Sequence, residues 1–169
     1  MNSIEPFKVL IWPDPTLRVV ASPVSVFDEG LKTIVQRLAA TLYKYDGVGL
    51  AATQVGLDVR VFVLDCSANK EARDLTVFVN PVITDRSTEF VQCDEGCLSF
   101  PGVWEPVSRN AWIKGHAFDV KGTRFDFMYT GLKSQCVQHE LEHLDGKVML
   151  DHLNRVQRRT AEKVLRKKR

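Results

Sequence analysis

Two histidines four residues apart, His139 and His143, lie in a segment whose apolar residues recur at helical spacing from Thr130 to Leu144. Positions i and i+4 share one face of a helix, so both imidazoles can reach one metal ion. Glu140, next to the first histidine, can act as a general base toward water on that metal. The fold must therefore bury this helix and bring a further ligand to it from elsewhere in the chain.

The motif leaves the third ligand open. A catalytic zinc site combines three protein ligands with one open position. Downstream, neither Asp145 nor His152 has the Gly-x-x-His spacing of metzincin proteases. Upstream, Cys97 lies in Glu-Gly-Cys-Leu-Ser, and a thiolate is a strong ligand for zinc or ferrous iron. Two plainer interpretations remain: Cys97 as an inert buried thiol, and the histidines as residues that cap the helix or pair with neighbours.

A third segment, residues 47–54, has the sequence Gly-Val-Gly-Leu-Ala-Ala-Thr-Gln. Its small residues permit close approach of another backbone, and Gln54 offers an amide donor. Taken alone, the two glycines are explained well by a helix C-cap followed by a turn.

Together, Gly-x-Gly-Leu-Ala-Ala-x-Gln, Glu-Gly-Cys-Leu-Ser and Gln-His-Glu-x-x-His-Leu, in this order and spacing, resemble the motifs of peptide deformylases. The resemblance covers nearly the whole chain. It implies a catalytic domain over residues 1–153 and a basic helical tail over residues 154–169, similar to that of type 1 bacterial enzymes.

The resemblance implies a role for each residue of the three motifs. The implied metal ligands are Cys97, His139 and His143, with water completing a tetrahedron. Glu140 would be the general base and would later pass the proton to the leaving amine. The implied oxyanion donors are the side-chain amide of Gln54 and the backbone N–H of Leu98.

The implied substrate contacts come from the same segments. The backbone of Gly49 would hold the peptide as an added strand, and the methionine pocket would be formed by Val48, Leu132, Cys136 and the flank of His139. The implied enzyme is a hydrolase that removes the formyl group from N-formyl-methionine at the N-terminus of newly synthesised polypeptides and releases formate. The implied cofactor is one divalent metal ion per chain, Fe²⁺ by resemblance, and the ligand set also suits Zn²⁺ or Ni²⁺.

Four positions depart from the usual family pattern, among them Cys93, which stands where a branched aliphatic residue often lines the pocket. Glu142 stands where many relatives have Asp, so its longer side chain must still fit an arginine such as Arg109. Gln135 replaces an apolar residue or Arg, and Trp104 replaces a substrate-facing Arg. These departures predict a shifted substrate preference more than a change at the metal site.

The chain has 169 residues, the size of one domain. Patterning predicts an amphipathic N-terminal helix over 28–46, the motif-bearing helix, and a last helix from the N-cap Asn154 to about Lys168. Strands are predicted at 59–64, 75–83 and 112–118, with a hairpin over 118–127. Pro81 should demote the second strand to an edge or split it. We therefore expect an α+β fold, with small antiparallel sheets packed around the central motif-bearing helix.

Charge is distributed unevenly along the chain. Residues 154–169 contain eight basic residues and one acid, a net charge of +7 within a chain whose total is +2. An anionic partner such as ribosomal RNA would therefore bind at the tail. The alternative is a solvated helix that docks through Val156, Val164 and Leu165.

No export signal or membrane-spanning run is found and the cysteines are few, which favours the cytoplasm with reduced thiols and no membrane partner.

Three other functions remain open. A metalloprotease would take its third ligand downstream and would tolerate loss of Cys97. A ribosome- or RNA-binding protein without activity would depend on the tail and not on Glu140. A deformylase with altered specificity would reflect Trp104 and Gln135.

Overall fold

The computed structural model describes residues 4–67 and 72–167. The helices are α1 (Glu29–Lys44), α2 (Gly131–Leu144) and α3 (Arg155–Lys167). The strands are β1 (Gly49–Ala51), β2 (Val61–Leu64), β3 (Thr76–Arg86), β4 (Phe90–Gly96), β5 (Trp104–Asn110), β6 (Trp112–Phe118) and β7 (Arg124–Thr130). Short 3₁₀ turns cover Pro15–Arg18, Ala52–Val55 and Met149–His152.

The strands form two antiparallel sheets. The larger has the order β1-β2-β3-β6-β7, and β4 and β5 form a separate two-stranded sheet. Helix α2 contacts β1, β2 and β7 of the larger sheet and β5 of the smaller one. The expected α+β fold around a central helix is therefore confirmed, and α2 can receive side chains from both sheets.

Both long helices begin where their sequences predict. The Asp28 carboxylate accepts a hydrogen bond of 3.0 Å from the Leu31 N–H and caps α1. That helix ends at Lys44, slightly before the predicted Asp46. Helix α2 starts directly after Thr130, as predicted.

The expectation for Pro81 was wrong. Strand β3 is neither split nor at an edge, because it lies between β2 and β6 and runs through the proline. The pairing with β6 shifts register between Val79 and Val82, and Asn80 adopts a φ of 50°. Such a bulge tolerates a residue that has no N–H to donate, so the strand continues.

Strand β2 is buried on both faces. Phe62 packs with α2, and its ring stacks on Phe78 with centroids 4.5 Å apart. Val61 and Val63 face the other way and pack with α1. The sheet is thus held between the two helices, which fixes β1 and α2 relative to each other.

The tail helix docks on the body by one face. Asn154 caps it by accepting hydrogen bonds from the N–H groups of Val156 and Gln157. Leu165 is buried as expected, but Val156 is exposed and Ala161 is buried in its place. The predicted end at Lys168 lies outside the described residues. None of the helices in the described part of the chain is long and apolar enough to cross a membrane.

Candidate active site

Three predicted ligand atoms converge beside α2. The Sγ of Cys97 and the ring nitrogens of His139 and His143 all lie within 4.8 Å of one another. The Nε2 atoms of the two histidines are 3.2 Å apart, and Cys97 Sγ lies 3.3 Å from Nε2 of His143. This spacing lets one ion contact all three atoms.

Different elements supply the three side chains. The two histidines occupy successive turns of α2, so the helix alone sets their separation. Cys97 follows β4, in a turn closed by a 2.9 Å hydrogen bond from the Phe100 N–H to the Cys97 carbonyl. Two residues further on, the backbone carbonyl of Ser99 accepts from the Trp12 N–H, which ties this turn to the N-terminal segment.

A buried ion-pair network orients His139. Its Nδ1 lies 2.8 Å from the Glu95 carboxylate, which also accepts two hydrogen bonds from Arg109 at 2.6 and 2.9 Å. Burial alone would raise the pKa of Glu95, but the bonds from Arg109 and His139 lower it to about 2. A carboxylate on one ring nitrogen leaves the other nitrogen, Nε2, as the metal-binding atom. The sequence motifs had not assigned Glu95 a role, although its position two residues before Cys97 on a strand was a usable signal.

His143 is buried and is held neutral. Burial lowers the pKa of its imidazole well below the usual value. For His139, burial also opposes protonation, but the adjacent Cys97 and Glu95 outweigh it and raise the pKa well above the usual value. A neutral imidazole is the form that binds metal.

Glu140 is buried beside the cluster. Among the described residues, its Oε2 atom has no hydrogen-bond partner. Burial raises the pKa of Glu140 to about 7, near the value that suits a general base at neutral pH. Gly49 faces it so closely that a Cβ there would overlap the carboxylate. The glycine therefore provides the space that the carboxylate occupies.

The amide of Gln54 is held in one orientation. Its Oε1 accepts a 2.9 Å hydrogen bond from the Ala51 N–H, so Nε2 points the other way. Nε2 lies 3.1 Å from Ser99 Oγ and 3.4 Å from Cys97 Sγ. An amide nitrogen carries two protons, so one can bond Ser99 while the other faces the cluster. Ser99 is a second residue whose contact the motifs had not anticipated.

The donor set fits a divalent transition metal. One thiolate and two imidazoles are the ligands that zinc and ferrous iron accept, and three protein ligands leave a position open. Glu140 Oε2, which has no hydrogen-bond partner among the described residues, lies next to the cluster. A polar ligand on such an ion would supply that partner. Asp145 and His152, the downstream alternatives, bond Arg60 and Glu142 respectively and are not part of the cluster.

A cavity of about 420 Å³ opens onto this cluster. The predicted site residues that line it are Val48, Gly49, Gln54, Cys97, Leu98, Leu132, Cys136, His139 and Glu140. His143 sits behind this wall and is almost fully buried. Two of the unusual residues, Trp104 and Gln135, also line the cavity. Glu142 instead lies against Arg109, with 2.7 Å between Oε1 and Nη1, so the longer side chain fits.

Comparison with known proteins gives one consistent result. The family model described as polypeptide deformylase matches residues 6–159. The peptide deformylase of Cellvibrio japonicus is 42% identical over 160 residues, which cover 95% of this chain and 94% of that protein. The peptide deformylase of Alkalilimnicola ehrlichii is 42% identical over 159 residues, covering 94% and 88% of the two chains.

Solved structures agree with the sequence comparison. A peptide deformylase from Legionella pneumophila superposes with a TM-score of 0.91 at 38% identity, covering 96% of this chain and 94% of that one. A peptide deformylase from Ehrlichia chaffeensis in complex with actinonin superposes with a TM-score of 0.91 at 32% identity, covering 98% and 99%.

Proposed function

Since this chain belongs to the polypeptide deformylase family, whose members are hydrolases that remove the formyl group from N-formylmethionine peptides, we propose that it deformylates newly synthesised polypeptides at the cluster of Cys97, His139 and His143. The observation that carries the proposal is the convergence of these three ligand atoms within 4.8 Å. Glu140 and Gln54 line the same cavity, so a base and an amide donor accompany the ligands.

The proposed chemistry is general-base hydrolysis. Cys97, His139 and His143 would hold a divalent ion, which would lower the pKa of water toward neutrality and so supply a nucleophile. Glu140 takes a proton from the attacking water through its unpartnered oxygen. The C–N bond of the formamide then breaks, Glu140 returns the proton to the amine nitrogen, and formate and the free N-terminus are the products.

Two donors would stabilise the formyl oxygen as it gains negative charge. The Gln54 amide is held with Nε2 toward the cluster, and the backbone N–H of Leu98 comes from the residue after the cysteine ligand. Donors fixed before the reaction lose no energy to reorientation, and each is worth roughly 10²–10³ in rate.

The peptide would bind along β1. This strand is at one edge of the larger sheet, so an extended chain can pair with the backbone around Gly49. The methionine side chain would enter the pocket lined by Val48, Leu132 and Cys136. Trp104 at the cavity wall would contact a substrate residue after the methionine. A library of formylated peptides that differ at the later residues would test this contact.

The proposed cofactor is Fe²⁺. The ligand set also suits Zn²⁺ and Ni²⁺, and a thiolate beside ferrous iron would make the enzyme sensitive to oxidation. All four cysteines are free thiols. We also propose a catalytic domain over residues 1–153, a tail over residues 154–169 and a cytoplasmic location.

The tail is proposed to contact the ribosome. Its buried residues, Ala161 and Leu165, face the body of the protein. Among the tail residues that the structure describes, the exposed cations are Arg155, Arg159, Lys163, Arg166 and Lys167. Arg155, Arg159 and Lys163 are four residues apart, and Arg166 and Lys167 follow three and four residues after Lys163, so the five form one stripe. Such a stripe can neutralise RNA phosphates while the opposite face stays docked.

The direct test is formate release from an N-formyl-methionyl tripeptide. Protein loaded anaerobically with Fe²⁺ should release formate, and Glu140→Ala should lose this activity while it keeps one bound metal per chain. Metal binding without formate release in the wild type would contradict the proposal and would favour peptide cleavage or another formylated substrate.

A further inference from the structure

His152 bonds a carboxylate of the motif-bearing helix. Its Nε2 atom lies 3.0 and 2.8 Å from the two carboxylate oxygens of Glu142, ten residues earlier. His152 is in the 3₁₀ turn between α2 and α3, and its side chain is 30% exposed. It is therefore accessible from solvent although its partner lies on the central helix.

Glu142 connects this histidine to the metal-binding cluster. Its Oε1 lies 2.7 Å from Nη1 of Arg109, whose other nitrogens hold both oxygens of Glu95. Glu95 in turn lies 2.8 Å from Nδ1 of His139. Arg109 and Glu95 are 2% and 8% exposed, so solvent screens these inner contacts little. A continuous row of hydrogen-bonded charges thus runs from the surface to one of the three cluster residues.

The turn that bears His152 is anchored independently of the row. Met149 and Leu150 are buried in the same apolar cluster as the tail helix. Asp151 accepts a 3.0 Å hydrogen bond from the Val148 N–H and pairs with Arg18. The backbone of His152 is therefore held in place whether or not a metal is bound.

We propose that His152 is a positioning residue for the metal centre. Its imidazole holds the Glu142 carboxylate on Arg109, Arg109 thereby holds Glu95, and Glu95 sets the ring of His139 so that Nε2 points into the cluster. Without His152, the Glu142 carboxylate, which is 23% exposed, can rotate toward water and leave the buried guanidinium with one carboxylate partner instead of two. The inference rests on the proposed function only for the identity of the site, because its effect is on metal binding.

The test is Co²⁺ affinity, measured by chelator competition on the full chain. Removal of a direct partner of a metal ligand lowers metal affinity roughly 10–100-fold. His152 reaches His139 only through Arg109 and Glu95, so we expect His152→Ala to lower Co²⁺ affinity about fivefold. The d–d absorption bands of bound Co²⁺ should shift with it, because the ring of His139 reorients. His152→Gln keeps a donor for Glu142 and should restore most of the affinity. The matched control is His116→Ala, a histidine on β6 outside the row, which should bind Co²⁺ like the wild type.

A double-mutant comparison tests whether the effect of His152 passes through Glu142. Nε2 of His152 also lies 3.4 Å from Nη1 of Arg109, a longer contact than those to Glu142. In a Glu142→Ala background only that contact remains, so adding His152→Ala should cause a much smaller loss of Co²⁺ affinity than in the wild type. Wild-type affinity and absorption in His152→Ala, or equal losses in both backgrounds, would overturn the proposal. If the Co²⁺ results hold but the Fe²⁺ enzyme releases no formate, the proposed function fails and the positioning role stands.

Discussion

The Glu140 carboxylate lies where a Cβ on residue 49 would be, so only a glycine fits at Gly49 without overlap. The glycine is on edge strand β1 and the glutamate on α2, so the contact joins the sheet to the central helix. The absence of a side chain at one position therefore decides where the proposed base can lie.

Gly49→Ala should displace the Glu140 carboxylate from the cluster. We expect formate release to fall by at least about 10²-fold, since a misplaced general base loses much of its contribution. Metal content should stay near one per chain, because the clash is with Glu140 and not with the three ligands. Gly30→Ala, at an exposed position of α1, is the matched control and should keep full activity. Equal activity of the two variants would contradict this prediction, because the displaced carboxylate would then work as well as the original one.

Cys97→Ser should weaken metal binding strongly. A neutral hydroxyl replaces a thiolate at a position 3.3 Å from Nε2 of His143, and it is a poor ligand for zinc or ferrous iron. Isothermal titration with Zn²⁺ on the metal-free protein would measure the loss. Nearly unchanged affinity would favour a site of the metalloprotease type with its third ligand elsewhere.

Gln54→Ala should slow formate release by roughly 10²–10³-fold while the metal stays bound, because one of the two proposed oxyanion donors is lost. Ser99→Ala is the informative partner variant. It removes only the acceptor that lies 3.1 Å from Nε2 of Gln54, and the bond to the Ala51 N–H still holds the amide. We expect a smaller loss for this variant. A steady-state comparison of kcat at saturating substrate would separate the two.

Charge reversal on the exposed stripe should weaken the proposed binding to the ribosome. The triple variant Arg155→Glu, Arg159→Glu and Lys163→Glu should pellet less with ribosomes. Its plot of log binding constant against log salt concentration should be shallower, by up to about 0.9 in slope per lost phosphate contact. Formate release from a free tripeptide should be unchanged, because the stripe lies outside the cavity.

The control for this prediction carries the same charge change elsewhere. Lys114→Glu, Lys121→Glu and Arg124→Glu alter exposed positions on and around the β6–β7 hairpin. Equal loss of ribosome binding in both triple variants would mean that net charge, and not the stripe, governs binding. Truncation of the helix is a poorer design, because it would expose the core around Leu17 and Phe100 that Ala161 and Leu165 cover.

Much of the site could be predicted from the sequence. Two histidines at helical spacing share a face whatever surrounds them, and this is why the pair and Glu140 were found from local pattern alone. The choice of Cys97 over Asp145 and His152 came from the resemblance, and the structure places that sulfur next to both rings. Glu95 and Ser99 were missed, because their contacts cross between elements that sequence spacing does not relate.

The fold was predicted unevenly for similar reasons. Helices α1 and α2 have caps and periodicity that local sequence determines. The β4–β5 hairpin was not predicted as strands, and Pro81 was placed at an edge although β3 is central. Strand partners are distant in sequence, so a bulge that absorbs a proline becomes visible only when the neighbouring strand is in place.

The sequence by itself determined the family, the candidate ligands and a basic tail, because motifs, helical spacing and charge are local properties. The tertiary structure decided the rest. It set Gly49 against Glu140, turned Nε2 of Gln54 toward Cys97, and joined His152 to His139 through Glu142, Arg109 and Glu95. These contacts are made between separate elements, and their geometry depends on how the two sheets pack around α2.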